Sequence, residues 1–291
     1  MFLLMNINLW KELEDDLSID FENDTSVYTF RDQLRQALNV IFAITQATSP
    51  FFAYITDLGQ PIWTRSGAVE TPATPATYTF FIWLFIFLTS IAYSVYQALP
   101  GRRADQFLRR VGFFTAGAFL GSTLWEVDNQ LHGVTWSSVV LIVLVLAAIS
   151  GAFVEVVRKR ASLTTAERWL VALPVSVLMG WESISSFAVL SQALKASGFD
   201  NFSLSEANFS IVTVIAAGVF GAVVTFLSRG NWDCGLAIIW ALLGIVVANV
   251  TRQQNNAVAL TASGMALLVA LTLLGAKKVV RSNSTVGNNL G

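Results

Sequence analysis

Eight runs of apolar residues, each near the length that crosses a hydrocarbon layer of ~30 Å, constrain this chain more than any other feature. They lie near 38–57, 78–98, 111–126, 136–156, 169–190, 209–227, 234–250 and 257–276. In lipid the backbone must satisfy its own hydrogen bonds, and a helix does so within one segment. The expected fold class is therefore an all-α integral membrane protein, a bundle of about eight transmembrane helices. Composition agrees, because 54% of the residues are hydrophobic and only 13% charged, about half the charged fraction of ordinary soluble domains. The lipid bilayer is thus its first partner, and the expected location is the cell (plasma) membrane, as a multi-pass protein.

The first run is the weakest. It carries Asn39, Thr45, Gln46, Thr48, Ser49 and Pro50, so it reads either as a span facing other helices or as a partly re-entrant segment. Orientation follows from Lys and Arg, which stay on the cytoplasmic side. One set of loops holds Arg102, Arg103, Arg109, Arg110, Arg158, Lys159, Arg160, Arg168, Arg229, Lys277, Lys278 and Arg281; the other holds Arg65, Lys195 and Arg252. Twelve against three places the 99–110, 158–168 and 228–233 loops and the C-terminus in the cytoplasm, and an even number of spans puts the N-terminus there too. A net charge of -1 offers no footprint for nucleic acid. Cys234 is the single cysteine and His132 the single histidine, so neither an internal disulfide nor a metal site is expected, and His132 reads as a plain loop residue.

Residues 1–36 differ from the rest, with Glu12, Glu14, Asp15, Asp16, Asp20, Glu22, Asp24 and Asp32 close together. They read as an acidic cytoplasmic extension with surface helix around 9–17 and 30–36. At the other end 279–291 reads as a polar tail. The longest external connection, 58–77, contains Pro61, Trp63, Pro72 and Pro75; proline restrains it without regular structure, and it serves either as a lid over a cavity or as a spacer. Thr164 with Glu167 fits a capping box, and Glu206 or Asn208 suits the start of the sixth span. Gly117 and Gly121 permit close helix approach, within the bundle or in a homo-oligomer.

Among nine tryptophans, Trp136, Trp169 and Trp232 fall at span ends, where an indole keeps its N–H in the headgroup region. Trp83, Trp125, Trp181 and Trp240 fall inside spans. Trp125 lies fifteen positions after Arg110, Trp181 thirteen after Arg168 and Trp83 fourteen before Gln97. All three therefore reach ~20–23 Å from their cytoplasmic ends and are expected to form one aromatic layer beneath the 58–77 loop, with lipid-facing or core-filling indoles as the alternative. Trp125 and Trp181 are each followed by an acid, Glu126 and Glu182. An ionisable group at membrane depth is a functional hypothesis by default; for Glu126 the alternative is that it already stands at the outer surface with Asp128. Pro174, seven residues before Trp181, removes a backbone donor and suits a bend that opens a pocket.

These residues carry a resemblance. The stretch TPATYTFFIW at 74–83, leading to Tyr96, Gln97 and Pro100, is similar to the start of the second helix in the tryptophan-rich sensory protein family, also called TspO or translocator-like. Leu124-Trp125 resembles its third-helix motif, and Leu173-Pro174 with Gly180-Trp181 the fifth-helix segment of its longer members. CGLAIIW at 234–240 resembles a later helix of those long forms. The resemblance implies a TspO-like five-helix membrane core at 37–194 and three additional transmembrane helices at 195–278. It also implies a cavity in the outer half that takes tetrapyrroles or other flat hydrophobic molecules at Phe80, Trp83, Trp125 and Trp181, with Glu126 and Glu182 beside them. The chain departs from the family pattern where a double proline is spread as Pro72 and Pro75. Asparagines usual beside the two tryptophans are replaced by Ser122 or Thr123 and by Ser185 or Ser186, so ligand preference does not carry over. The expected function is a binding or sensory protein or translocator, with no catalytic residues, no metal and no cofactor beyond a tetrapyrrole-type ligand. A proton- or cation-coupled secondary transporter using Glu126 and Glu182 is the alternative, although no internal repeat of the transporter kind is evident.

Overall fold

The computed structural model describes residues 29–199 and 201–288. Eight long helices form it: α1 (Phe30–Thr48), α2 (Ile82–Ala98), α3 (Gln106–His132), α4 (Trp136–Lys159), α5 (Leu173–Ala196), α6 (Glu206–Leu227), α7 (Trp232–Thr251) and α8 (Asn256–Asn288). Seven of the helical stretches among the described residues are long and apolar enough to cross a membrane. The eighth, α3, has 27 residues, ~40 Å on the rise of an α-helix, and is diluted by glycines, Glu126, Asp128, Asn129 and Gln130, much of which it buries against its neighbours.

The helices do not pack in chain order. Helix α1 lies against α2 and α3, α3 against α4, α4 against α5, and α5 against α2, so the first five close into a ring ordered α1, α2, α5, α4, α3. Helices α6 and α7 pack on the outside of α5, and α8 packs on both of them. Surrounded in this way, α5 has 72% of its apolar stretch buried, against 56% for α7, the next most enclosed. Gly180 makes the α5–α7 contact possible: a Cβ there would run into the carbonyl oxygen of Cys234 and lie 2.8 Å from Ala237 Cβ.

Several boundaries differ from the sequence expectation. Helix α1 begins at Phe30, so 30–36 belong to the bundle rather than to a separate extension. A 3₁₀ turn, Ser49–Phe51, and a short helix, Phe52–Thr56, continue it past Pro50 to full crossing length. The reason is that α1 is inside out: it buries Asp32, Arg35, Gln36, Asn39 and Gln46 at helical spacing and turns Leu34, Ile41 and Ile44 outward. The buried stripe is satisfied across helices. Arg109 holds Asp32 through Nε and Nη2 at 2.9 and 2.7 Å, Arg35 donates to Gln97 Oε1 at 3.0 Å and to the Arg103 carbonyl at 2.9 Å, and Asn39 donates to the Gly112 carbonyl at 2.7 Å. The surface helix expected around 9–17 lies outside the described residues. At the far end the backbone stays helical to Asn288 rather than ending in a tail after 278.

The capping box forms, with the Glu167 N–H donating to Thr164 Oγ1 at 3.2 Å and the Thr164 N–H to Glu167 Oε2 at 2.9 Å. The start of α6 is capped by Ser205, not by Glu206 or Asn208. Ahead of Pro174 the helix widens into a π turn, Arg168–Ala172, which absorbs the donor the proline lacks. The 58–77 connection contains a short helix, Ile62–Ser66. Of the glycine pair, Gly121 serves the chain itself, since a Cβ there would sit 2.7 Å from Val145 Cγ2 of α4, whereas Gly117, whose Cβ would lie 3.7 Å from Ala148, stays exposed. Gly121 is buried in that contact, which removes it from any surface available to a second copy.

Candidate functional site

The ring is hollow at the end where α1 finishes and α2 starts. A 3₁₀ turn, Thr77–Phe81, delivers Phe80, the first turn of α2 delivers Trp83, and α3 and α5 deliver Trp125 and Trp181. The rings meet edge to face: Trp181 lies 5.7 Å from Phe80 at 74° and 6.2 Å from Trp83 at 77°, an arrangement that the aromatic quadrupole favours.

Two hollows share a wall made by Thr74, Pro75, Phe80, Trp83 and Trp125. The smaller, about 40 Å³, lies toward Trp181, Ser185, Asn129 and Ile142 and has room for little beyond water. The larger is about 530 Å³, within the usual range for a small-molecule site. Its floor and sides are Pro50, Phe51, Phe87, Ile91, Trp125 and Glu126, and its outer rim includes Leu84, Leu88 and Phe81, which are exposed on the outside of the bundle. Residues of the 58–77 connection, among them Ile62, Glu70, Thr74 and Pro75, cover it.

Of the six residues singled out in the sequence, the structure brings Phe80, Trp83, Trp125 and Trp181 together, and Glu126 joins them on the cavity wall. Glu126 is 2% exposed, so it is not an outer-surface residue. Ser49 donates its hydroxyl to Glu126 Oε2. Gln130 holds both residues in place, donating to the Ser49 carbonyl at 2.7 Å and the Glu126 carbonyl at 3.0 Å. Glu182 does not line either hollow. One residue on from Trp181 is ~100° around a helix, and Glu182 is fully buried, taking a 3.0 Å hydrogen bond from Ser185 on Oε2 while Oε1 has no partner. The indole N–H groups of Trp125 and Trp181 also lack partners.

The lid is held from outside the ring, which the sequence did not announce. The Ala76 N–H donates to the Gly244 carbonyl at 3.0 Å, Asn249 Nδ2 to the Pro72 carbonyl at 2.7 Å, and Trp240 Nε1 to the Thr79 carbonyl at 3.0 Å. Gly244 must be small, because a Cβ there would collide with Thr79 Cγ2 and lie 3.1 Å from Pro75 Cβ. The other foot of the lid rests on α3, with the Gln60 N–H on the Gln130 carbonyl at 2.8 Å. A lone asparagine in the last turn of an otherwise apolar helix was the available signal for Asn249. Trp240, noted as a tryptophan inside a span, belongs to this clamp and not to the pocket.

Over residues 36–275 the sequence matches the family model described as TSPO-like protein. The chain belongs to the TSPO-like family. A search of curated proteins and of solved structures finds no match to it. The matched stretch covers most of the ring, all of α6 and α7 and α8 as far as 275, so in this TSPO-like chain the residues that clamp the lid lie within the matched stretch. Membership makes it a multi-pass membrane protein of the general sensory or translocator type, in a family that is generally non-enzymatic.

Proposed function

We propose that this protein binds a flat hydrophobic small molecule, with tetrapyrroles as the case its family suggests, in the hollow bounded by Phe80, Trp83 and Trp125. It acts as a membrane sensor or translocator for that molecule. The observation that supports this reading best is an apolar cavity of about 530 Å³, walled by indoles and roofed by a clamped loop. Indole faces offer stacking area while a few polar groups fix orientation. The charge asymmetry of the loops supports a plasma-membrane orientation with both termini in the cytoplasm. The test is tryptophan quenching of the purified protein by a porphyrin without carboxylate groups and by an unrelated apolar dye. Saturable quenching by the porphyrin that weakens in Trp83→Phe and Trp125→Phe is expected; equal, unsaturable quenching by both probes would mean partition into detergent and would overturn the reading.

A second reading has its own support. Glu126 on α3 and Glu182 on α5 are both buried and neither forms an ion pair among the described residues, as the proton or cation sites of a coupled transporter would require. Proteoliposome uptake that collapses in Glu182→Gln, with ligand binding retained, would favour this reading over simple binding.

A further inference from the structure

Among the described residues the binding cavity has acids on its walls and no bases: none of those lining either hollow is Lys, Arg or His, whereas Glu70 and Glu126 line the larger one. Glu70, at the rim, is already matched by Arg252 at 2.7 Å. Glu126 is not matched: among the described residues its one side-chain partner is the Ser49 hydroxyl, and no salt bridge reaches it. A carboxylate so placed has lost most of its water and has received no countercharge, a costly state that an incoming cation relieves and an incoming anion worsens. The rest of the wall favours the same choice. Trp83 and Trp125 present indoles beside Glu126, and indole faces attract cations. The second polar signal is the pair of unpartnered indole N–H groups, one of them on Trp181, which is 2% exposed and lines the smaller hollow. These ask for an acceptor, which a neutral carbonyl or ring nitrogen supplies without adding negative charge.

Resting on the ligand-binding reading above, we propose that the cavity selects an organic cation, a flat apolar body bearing a protonated amine that pairs with Glu126, and discriminates against flat molecules whose polar groups are carboxylates. Anionic tetrapyrroles are therefore poor ligands for this chain, whatever the family as a whole accepts. Of the departures from the family pattern beside these tryptophans, Ser185 lines the smaller hollow.

The experiment uses the full chain in an uncharged detergent at pH 7 and three flat tricyclic probes of similar size: 9-aminoacridine, anthracene and anthracene-9-carboxylate. Saturable tryptophan quenching is expected to rank them cation, neutral, anion, with the cation favoured over the anion by about tenfold or more, the worth of one charge-assisted hydrogen bond. In Glu126→Gln the ratio should collapse toward unity. Equal or tighter binding of the carboxylate to the native chain overturns the proposal, and so does a ratio that survives Glu126→Gln. The native-chain ranking decides the matter even where the variant does not fold. Saturable anthracene binding without a charge preference would sink the charge selection alone; no saturable binding of any probe would sink the cavity reading and this proposal with it.

Discussion

Asn249→Ala should loosen the lid without touching the cavity wall. The Asn249 side chain is wholly buried in α7, and its Nδ2 donates to the carbonyl of Pro72, itself buried, at 2.7 Å. Removing the donor leaves that oxygen with neither protein nor water, which costs about 1–3 kcal/mol. Because ~1.4 kcal/mol is a factor of ten in an equilibrium constant, the segment should open from α7 roughly 5 to 150 times more often. The Ala76 amide, bonded to the Gly244 carbonyl at 3.0 Å, reports the opening directly. Its hydrogen exchange should accelerate by that factor in native conditions. The Gln60 amide, tied to Gln130 on the other foot of the lid, serves as the control and should keep its rate. An Ala76 rate unchanged within twofold would refute the idea that α7 holds the lid shut; equal acceleration at both amides would mean general destabilisation instead.

Gly180→Ala should push α5 from α7 at Cys234 and Ala237 and cost about 1–3 kcal/mol, as overpacking does; an unchanged thermal midpoint in detergent would refute the close contact. Asp32→Asn removes the carboxylate that Arg109 grips twice, and the midpoint should fall by up to about 3 kcal/mol of stability, the low end for a buried pair because Arg109 keeps some water. Asp32→Glu should recover part of it, and full stability in Asp32→Asn would show the pair to be dispensable. A reporter enzyme active only outside the cell, fused after Gly291, should stay inactive; activity there would reverse the orientation argued from Lys and Arg.

Much of this architecture was legible because lipid imposes one rule on every span. Apolar runs marked the helices, and equal depth from one common end of the bundle brought Trp83, Trp125 and Trp181 to one level, since an α-helix converts residue number into height. What depth cannot supply is direction around the helix axis. Hence Glu182, with apolar residues on both sides, read as the stronger site candidate and Glu126 as the one with an outer-surface alternative, yet Glu126 lines the cavity and Glu182 is buried off its wall. Counting apolar residues also misplaced the start of α1, whose protein-facing side is polar. The clamp from α7 was hidden for a different reason. It is built from backbone carbonyls of Pro72, Thr79 and Gly244, and main-chain acceptors leave no trace in residue identity.

The order of helices around the ring sets a timetable for synthesis. Helices α1 to α4 leave the ribosome first, yet the side of the ring between α2 and α4 is filled only by α5. Until that helix is inserted the nascent ring has a gap on the side where Trp181 will stand, and no closed chamber exists. Helix α7, which fastens the roof, arrives later still. The chamber is therefore among the last parts of the molecule to be completed, and the long polar stripe of α1 must find its partners on α2 and α3 while the chamber is still open to lipid. A quality-control protease that recognises unpaired polar surface within the membrane would meet this chain at its most vulnerable between the third helix and the fifth.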